Sequence, residues 1–192
     1  MKLQQFFKTA ACAALAAFVA CLGLSLAYPL SASAHEDKAD AKKYMSQNLT
    51  VSGAVENRLV LEVDDLRQFP VQQIEEQAIT RMSGANAGKL EKFKGVRLRD
   101  ILDKAVIISR DHNDVKKIVV IATATDGYKV VFSWSELFNS PVGEGVLVFF
   151  EKDGKVLADD EGRIAMISAK DLRTGPRHVK WLQAVEVKKI VD

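Results

Sequence analysis

Cysteine is all but missing from this chain. Its two copies, Cys12 and Cys21, both fall in an apolar stretch near the N-terminus. Nothing after that stretch can offer a thiolate to a metal, act as a sulfur nucleophile or close a disulfide. A domain built from the remaining residues must be stable through its core alone. Histidine is nearly as scarce: His35, His112 and His178 are scattered, with neither a helical i, i+4 pair nor finger spacing. That argues against a dedicated zinc site, and no metal-ligating residue is assigned. Neither sign of charge predominates, since 27 Lys and Arg face 25 Asp and Glu. Nucleic acid is therefore excluded as a partner, because phosphate binding needs a clustered basic excess. There is no Ser/His/Asp pattern, and the longest acidic run, Asp159-Asp160-Glu161, reads as a solvated acidic loop rather than a paired-carboxylate motif. No catalytic residue is assigned.

The N-terminus reads as an export leader. Lys2 and Lys8 form a positive start, Ala10 to Leu30 is almost wholly apolar, and Ala32-Ser33-Ala34 supplies a small-x-small cleavage pattern. The expectation is a signal peptide over residues 1–34, cut after Ala34, and a periplasmic mature chain starting at His35. A retained membrane anchor is the alternative, since the run approaches the roughly 20 residues a helix needs to span. Pro29 and the small-residue site favour cleavage. Lipidation at Cys21 is disfavoured, because Phe18-Val19-Ala20 is a poor lipobox. Cleavage removes two lysines and no acid, so the mature chain is formally neutral. About 158 residues then remain, enough for one domain with a sizeable core.

Residues 35–47 form a charged, alanine-rich polar leader, and the domain proper spans 48–192. Strands are expected over Leu49 to Ala54, Leu59 to Val63 and Val71 to Thr80, with Asp64-Asp65 capping a short helix over Leu66 to Phe69. Ser83 to Gly88 marks a flexible loop. Val96, Leu98, Ile101, Leu102 and Ala105 recur at helical spacing, predicting a helix over Val96 to Ala105. The β-branched run Lys117 to Thr123 reads as a buried strand. Asp126-Gly127 turns it into Lys129 to Phe132, and Asp153-Gly154 does the same between Val146 to Phe150 and Lys155 to Leu157. Ser135 to Phe138 forms a helical turn before Pro141. Ile164 to Ile167 and Ala184 to Ile190 complete a strand-dominated α+β domain with short helices.

Three segments now line up in order: Phe93-Lys94-Gly95-Val96-Arg97-Leu98-Arg99-Asp100, then Asp126-Gly127-Tyr128 with Phe132-Ser133 and Glu136-Leu137, then Gly175-Pro176-Arg177-His178-Val179-Lys180-Trp181-Leu182. Together they resemble the molybdopterin-binding domain of the sulfite oxidase superfamily, over roughly Leu49 to Val187. The resemblance implies a mixed-sheet α+β fold in a single domain, with a cleft for a pterin and its side chain. In the family's enzymes one cysteine at a strand end ligates molybdenum. The matching strand here is Ile74 to Thr80, which puts the equivalent position near Arg81, Met82 or Ser83. None is a thiolate; a thioether is a weak, uncharged donor and a serine hydroxyl is barely acidic. The enzymes also carry an arginine soon after a Gly-Pro pair, whereas here the stretch reads Gly162-Arg163-Ile164-Ala165, with the arginine shifted.

A pterin presents adjacent N–H donors on one edge and a carbonyl on another. A carboxylate can accept from the first, an arginine can donate to the second, and an aromatic face can stack on the rings. The ligand-binding candidates implied by the resemblance are Arg81 and Ser83 at the vacated metal position, Asp126 and Tyr128 in the cleft-side hairpin, and Asp171, Arg173, Arg177, His178 and Lys180 in the pterin-contacting loop. Each also has a structural explanation. Asp126 suits a tight turn, Tyr128 a half-buried core position, Asp171 and Arg173 a solvated ion pair, and His178 a surface position. Trp134 and Trp181 read as packing residues. Three functions follow. The first is an exported, non-catalytic module that captures a molybdenum-free pterin and presents the loaded state to a membrane receptor or signalling enzyme. The second is a molybdopterin-dependent oxidoreductase of the sulfite oxidase type, and the third a scaffold with a vestigial cavity.

Overall fold

The computed structural model describes residues 43–85 and 89–190. Cys12, Cys21, the leader expected over residues 1–34 and most of the polar leader lie outside them.

Apolar alternation builds the first sheet. β1 (Leu49–Gly53) buries Leu49 and Val51, and β5 (Ile118–Ala124) buries every second residue, as a period-two strand against a core must. With β2 (Leu59–Leu61), β6 (Lys129–Ser133) and β10 (Leu182–Lys189) they form a five-stranded sheet in the order β2-β1-β10-β5-β6. The β1–β10 pair is parallel and the others are antiparallel.

The second sheet runs β3 (Val71–Gln77), β4 (Glu91–Arg97), β7 (Val146–Lys152). The short β8 (Lys155–Val156) and β9 (Ala165–Ser168) share the far edge of β7. From Val146 to Phe150, β7 is an unbroken apolar run because both its faces are covered there. Val146, Val148 and Phe150 join the main core, while Leu147 and Phe149 join a smaller one with Phe93, Ala165 and Ile167. Phe93 and Phe149 meet edge to face at 4.7 Å, worth about 1 kcal/mol beyond burial.

The helices are short: α1 (Val63–Leu66), α2 (Leu98–Ala105) and α3 (Trp134–Phe138). α2 buries Leu98, Ile101, Leu102 and Ala105 on one face and touches strands of both sheets, β1 as well as β4 and β7. The sheets are also joined by backbone. Val179 and Met166 each donate an N–H to the other's carbonyl at 2.8 Å, and Leu182 N–H donates to the Ile164 carbonyl at 2.9 Å. The chain entering β10 in the first sheet is therefore stitched to the chain entering β9 in the second.

Both Asp-Gly hairpins form as expected. Three expectations need correcting. The helix does not begin at Val96; that residue belongs to β4, whose lysine-rich sequence hides a strand held by β3 on one side and β7 on the other. The first helix lies over Val63–Leu66 with Glu62 as its cap, and the Asp65 carboxylate reaches back to the Glu62 N–H at 2.9 Å, so the acids sit inside the turn rather than before it. β3 ends at Gln77, after Glu76 takes a left-handed φ of 52° and breaks the register.

Gly53 has φ 96°, and a Cβ there would run into the Val187 carbonyl oxygen of the parallel partner. Gly53→Ala should therefore cost about 2–3 kcal/mol, read as a lower urea midpoint in equilibrium unfolding.

Candidate functional site

The loop from β9 to β10 carries Asp171, Arg173, Arg177, His178 and Lys180. Its path is set by a 3-10 turn at Gly175–Arg177 and by the buried Val179, paired to Met166. Alternation about Val179 sends His178 and Lys180 to one side, where both reach the same carboxylate.

Arg177 is fully engaged. Its guanidinium forms a two-pronged pair with Asp171, at 2.6 and 2.5 Å, and donates to Glu136 Oε1 at 2.9 Å. It also lies 4.4 Å from the centre of the Phe132 ring. Glu136 is held in turn, because it is the third residue of α3 and its carboxylate accepts from the Ser133 N–H in a capping box. Burial disfavours the Glu136 charge, but the Ser133 and Arg177 donors outweigh it and hold the carboxyl below its usual range. Burial likewise opposes the Arg177 charge, and Asp171 and Glu136 more than offset it. Asp171 thus pairs with Arg177 rather than with Arg173, so no solvated Asp171–Arg173 pair exists.

Glu161 is the second centre. Its side chain is only 3% exposed, and it bonds the ring Nε2 of His178, whose side chain is 8% exposed and stacks on Phe149. Lys152 of β7 donates to Glu161 at 3.1 Å and Lys180 Nζ lies 3.7 Å away. Burial pushes the Glu161 pKa up, yet His178 and the two lysines overcome that and bring it down to about 2. Glu161 is therefore no part of a solvated acidic loop, and His178 is no surface histidine.

The segment after β3 is pinned to the same loop. Thr174 Oγ1 accepts from the Thr80 N–H at 2.8 Å and donates to the Ala78 carbonyl at 3.0 Å, and Gly175 N–H donates to the Thr80 carbonyl at 2.9 Å. Arg81 and Ser83 follow, both exposed, and a Cβ on Gly84 would come within 3.2 Å of the Arg173 guanidinium. Tyr128 reaches the loop from the β5–β6 hairpin, its hydroxyl donating to the Pro176 carbonyl at 2.7 Å. The exposed Asp126 accepts from the Tyr128 N–H at 2.8 Å, so its turn-forming role accounts for it.

The candidates thus converge on one loop, in three groups: Arg81 and Ser83 in the segment whose Gly84 faces Arg173, Asp171 on Arg177 with Tyr128 on the neighbouring Pro176 carbonyl, and His178 with Lys180 on Glu161. Asp126 stands apart. Sequence reasoning missed Glu136, Glu161 and Lys152. The Ser133–Glu136 capping spacing was a readable signal for the first; Glu161 and Lys152 had none, because only the fold brings them to His178. The donor set does not fit a molybdenum ion held through protein sulfur. Arg81, Met82 and Ser83 occupy the segment after β3, and no described residue is a cysteine.

Residues 35–191 match the family described as the oxidoreductase molybdopterin binding domain. No curated protein matches the sequence. The crystal structure of the sulfane dehydrogenase SoxCD from Paracoccus pantotrophus shares the fold, with a TM-score of 0.53 at 18% identity. The likeness covers 78% of this chain but only 40% of that one, so this chain spans well under half of the larger protein.

The depressed Glu161 pKa makes stability depend on pH. The contribution is present above its unfolded value of 4.5 and is lost as pH falls through about 2. Glu161→Gln should flatten urea-unfolding stability across that window. At neutral pH it should cost about 3 kcal/mol, because Lys152 and Lys180 lose their buried counter-charge.

Proposed function

The chain belongs to the oxidoreductase molybdopterin-binding domain family, and from that premise we propose that it is a non-catalytic pterin-binding module. The observation that carries this reading is the chemistry of the segment after β3. Where the family's enzymes hold their metal, this chain carries an exposed guanidinium, a thioether and a hydroxyl. Such a set cannot replace a thiolate on molybdenum, and no redox step runs through it. When bound, the pterin would supply a flat heterocycle for recognition. The protein's part is to bind and orient it on a rigid frame. That frame is stiff because the β9–β10 loop is tied down at Thr174, Arg177 and His178 by charge-assisted or buried hydrogen bonds.

The leader over residues 1–34 supports a periplasmic location, and a rigid ligand-bearing surface suits presentation to a membrane signalling protein. The competing reading is a molybdopterin-dependent oxidoreductase of the sulfite oxidase type, which would need its metal held through the pterin dithiolene alone.

Titration calorimetry of the mature exported protein with neopterin should give saturable one-to-one heat, and native protein should contain little molybdenum. Stoichiometric molybdenum in the native protein would favour the oxidoreductase instead, and no heat with neopterin would remove the pterin reading.

A further inference from the structure

An exposed sheet edge offers unpaired N–H and C=O groups, and folded proteins shorten it, charge it, break it or cover it. Most edges of this fold are protected in one of those ways. β2 is three residues long and β8 only two. β3 carries Glu75 and Glu76 and loses register at the left-handed Glu76. β9 is met on its far side by Val179, through the bridge at Met166. β6 is the exception. It ends the first sheet, keeps an unbroken register with β5 and contains no proline, glycine or acid.

The hairpin fixes which way its backbone points. Ala124 N–H donates to the Tyr128 carbonyl at 2.9 Å, so these two residues form a hydrogen-bonded pair. Bonded pairs recur at every second residue along an antiparallel ladder. Val130 and Phe132 therefore bond to Ala122 and Val120 of β5, while Lys129, Val131 and Ser133 turn their N–H and C=O groups outward. Ser133 shows that direction, because its N–H is taken by the Glu136 carboxylate outside the ladder, at 2.8 Å. The N–H and C=O groups of Lys129 and Val131 have no partner among the described residues. Their side chains share the outer face: Lys129 is exposed, and Val131 is 53% exposed beside Ile121 of β5.

We propose that β6 pairs antiparallel with β6 of a second copy, about a two-fold axis at Val130, joining two five-stranded sheets into one. The occupant is a second copy because the strand complements itself in that register. Lys129 of one copy lies opposite Val131 of the other, and each pair exchanges both backbone bonds, so all the open groups of both residues are satisfied. An axis at Val131 would instead set Lys129 against Ser133, whose N–H is already used. In the Val130 register no like charges face each other, and the Lys129 stem lies along the exposed Val131 of the other copy. The chain's net charge of only +2 gives little repulsion between copies.

The α3 cap at Ser133 ends the pairing on one side, and the Asp126-Gly127 turn ends it on the other. The contact is therefore short, and the dimer is weak and reversible. The same register sets Tyr128 of one copy opposite Phe132 of the other, the ring on which the Arg177 guanidinium lies. A second chain thus arrives beside the β9–β10 loop. The pairing needs no ligand, so it stands or falls apart from the pterin reading.

Sedimentation equilibrium and amide hydrogen exchange on the exported protein test the pairing. The wild type should show a monomer–dimer equilibrium, with exchange at Lys129 and Val131 slowing as concentration rises. Val131→Pro removes the outward N–H and leaves the β5 ladder intact, so it should weaken dimerisation about tenfold or more at an unchanged urea midpoint. Val131→Lys places like charges opposite Lys129 and should weaken it as well, whereas Val131→Glu places opposite charges there and should tighten it about fivefold. A monomer at every concentration up to about 1 mM, with rapid exchange at both amides throughout, overturns self-pairing and leaves the edge to a strand of another protein. Dimers that survive both Val131→Pro and Val131→Lys have their interface elsewhere, which also defeats the proposal. Weakening by Val131→Glu as large as by Val131→Lys means that Val131 faces itself, and the Val130 register is then wrong.

Discussion

A buried carboxylate is tolerated only when its neighbours return what water would have given it. Glu161 meets that condition with three cationic or ring-nitrogen partners drawn from separate parts of the chain: Lys152 from β7, and His178 and Lys180 from the approach to β10. Its own carbonyl also receives the Trp181 N–H. One residue thereby joins the second sheet to the strand that completes the first. The course of the loop depends on it, and so does the placement of every candidate that the loop carries.

The Arg177 cluster repeats the same logic nearby. Two carboxylates and a phenyl face surround one guanidinium, and one of those carboxylates also caps α3. Groups saturated in this way stiffen a structure but have little left for a ligand. Beside them, the exposed Arg81 and Arg173 have no ion-pair partner among the described residues, so the open donors of the candidate site lie at its surface.

Much of the fold was legible residue by residue. The Asp-Gly hairpins, the β-branched run of β5 and the apolar run of β7 carry their period in the sequence, and the structure follows them. β4 was not legible, because Glu91, Lys92 and Lys94 mask a strand whose stability comes from neighbours on both edges. Of the site, the Gly175–Lys180 stretch and Tyr128 were readable as a constellation and do come together. Glu161 reads as solvated in the sequence because it follows two exposed acids, and burial of a single charge leaves no periodic trace.

Composition and local pattern were enough for the strand-rich architecture, the family, and the absence of any thiolate beyond the N-terminal stretch. Which charges are spent and which remain open came from packing between distant segments. Ion pairing depends on distance and solvent exclusion between segments far apart in the chain. Asp171 meets Arg177 instead of Arg173, and Glu161 turns inward between Asp159 and Arg163, because the packing of two sheets, and no local rule, sets which groups lose contact with water.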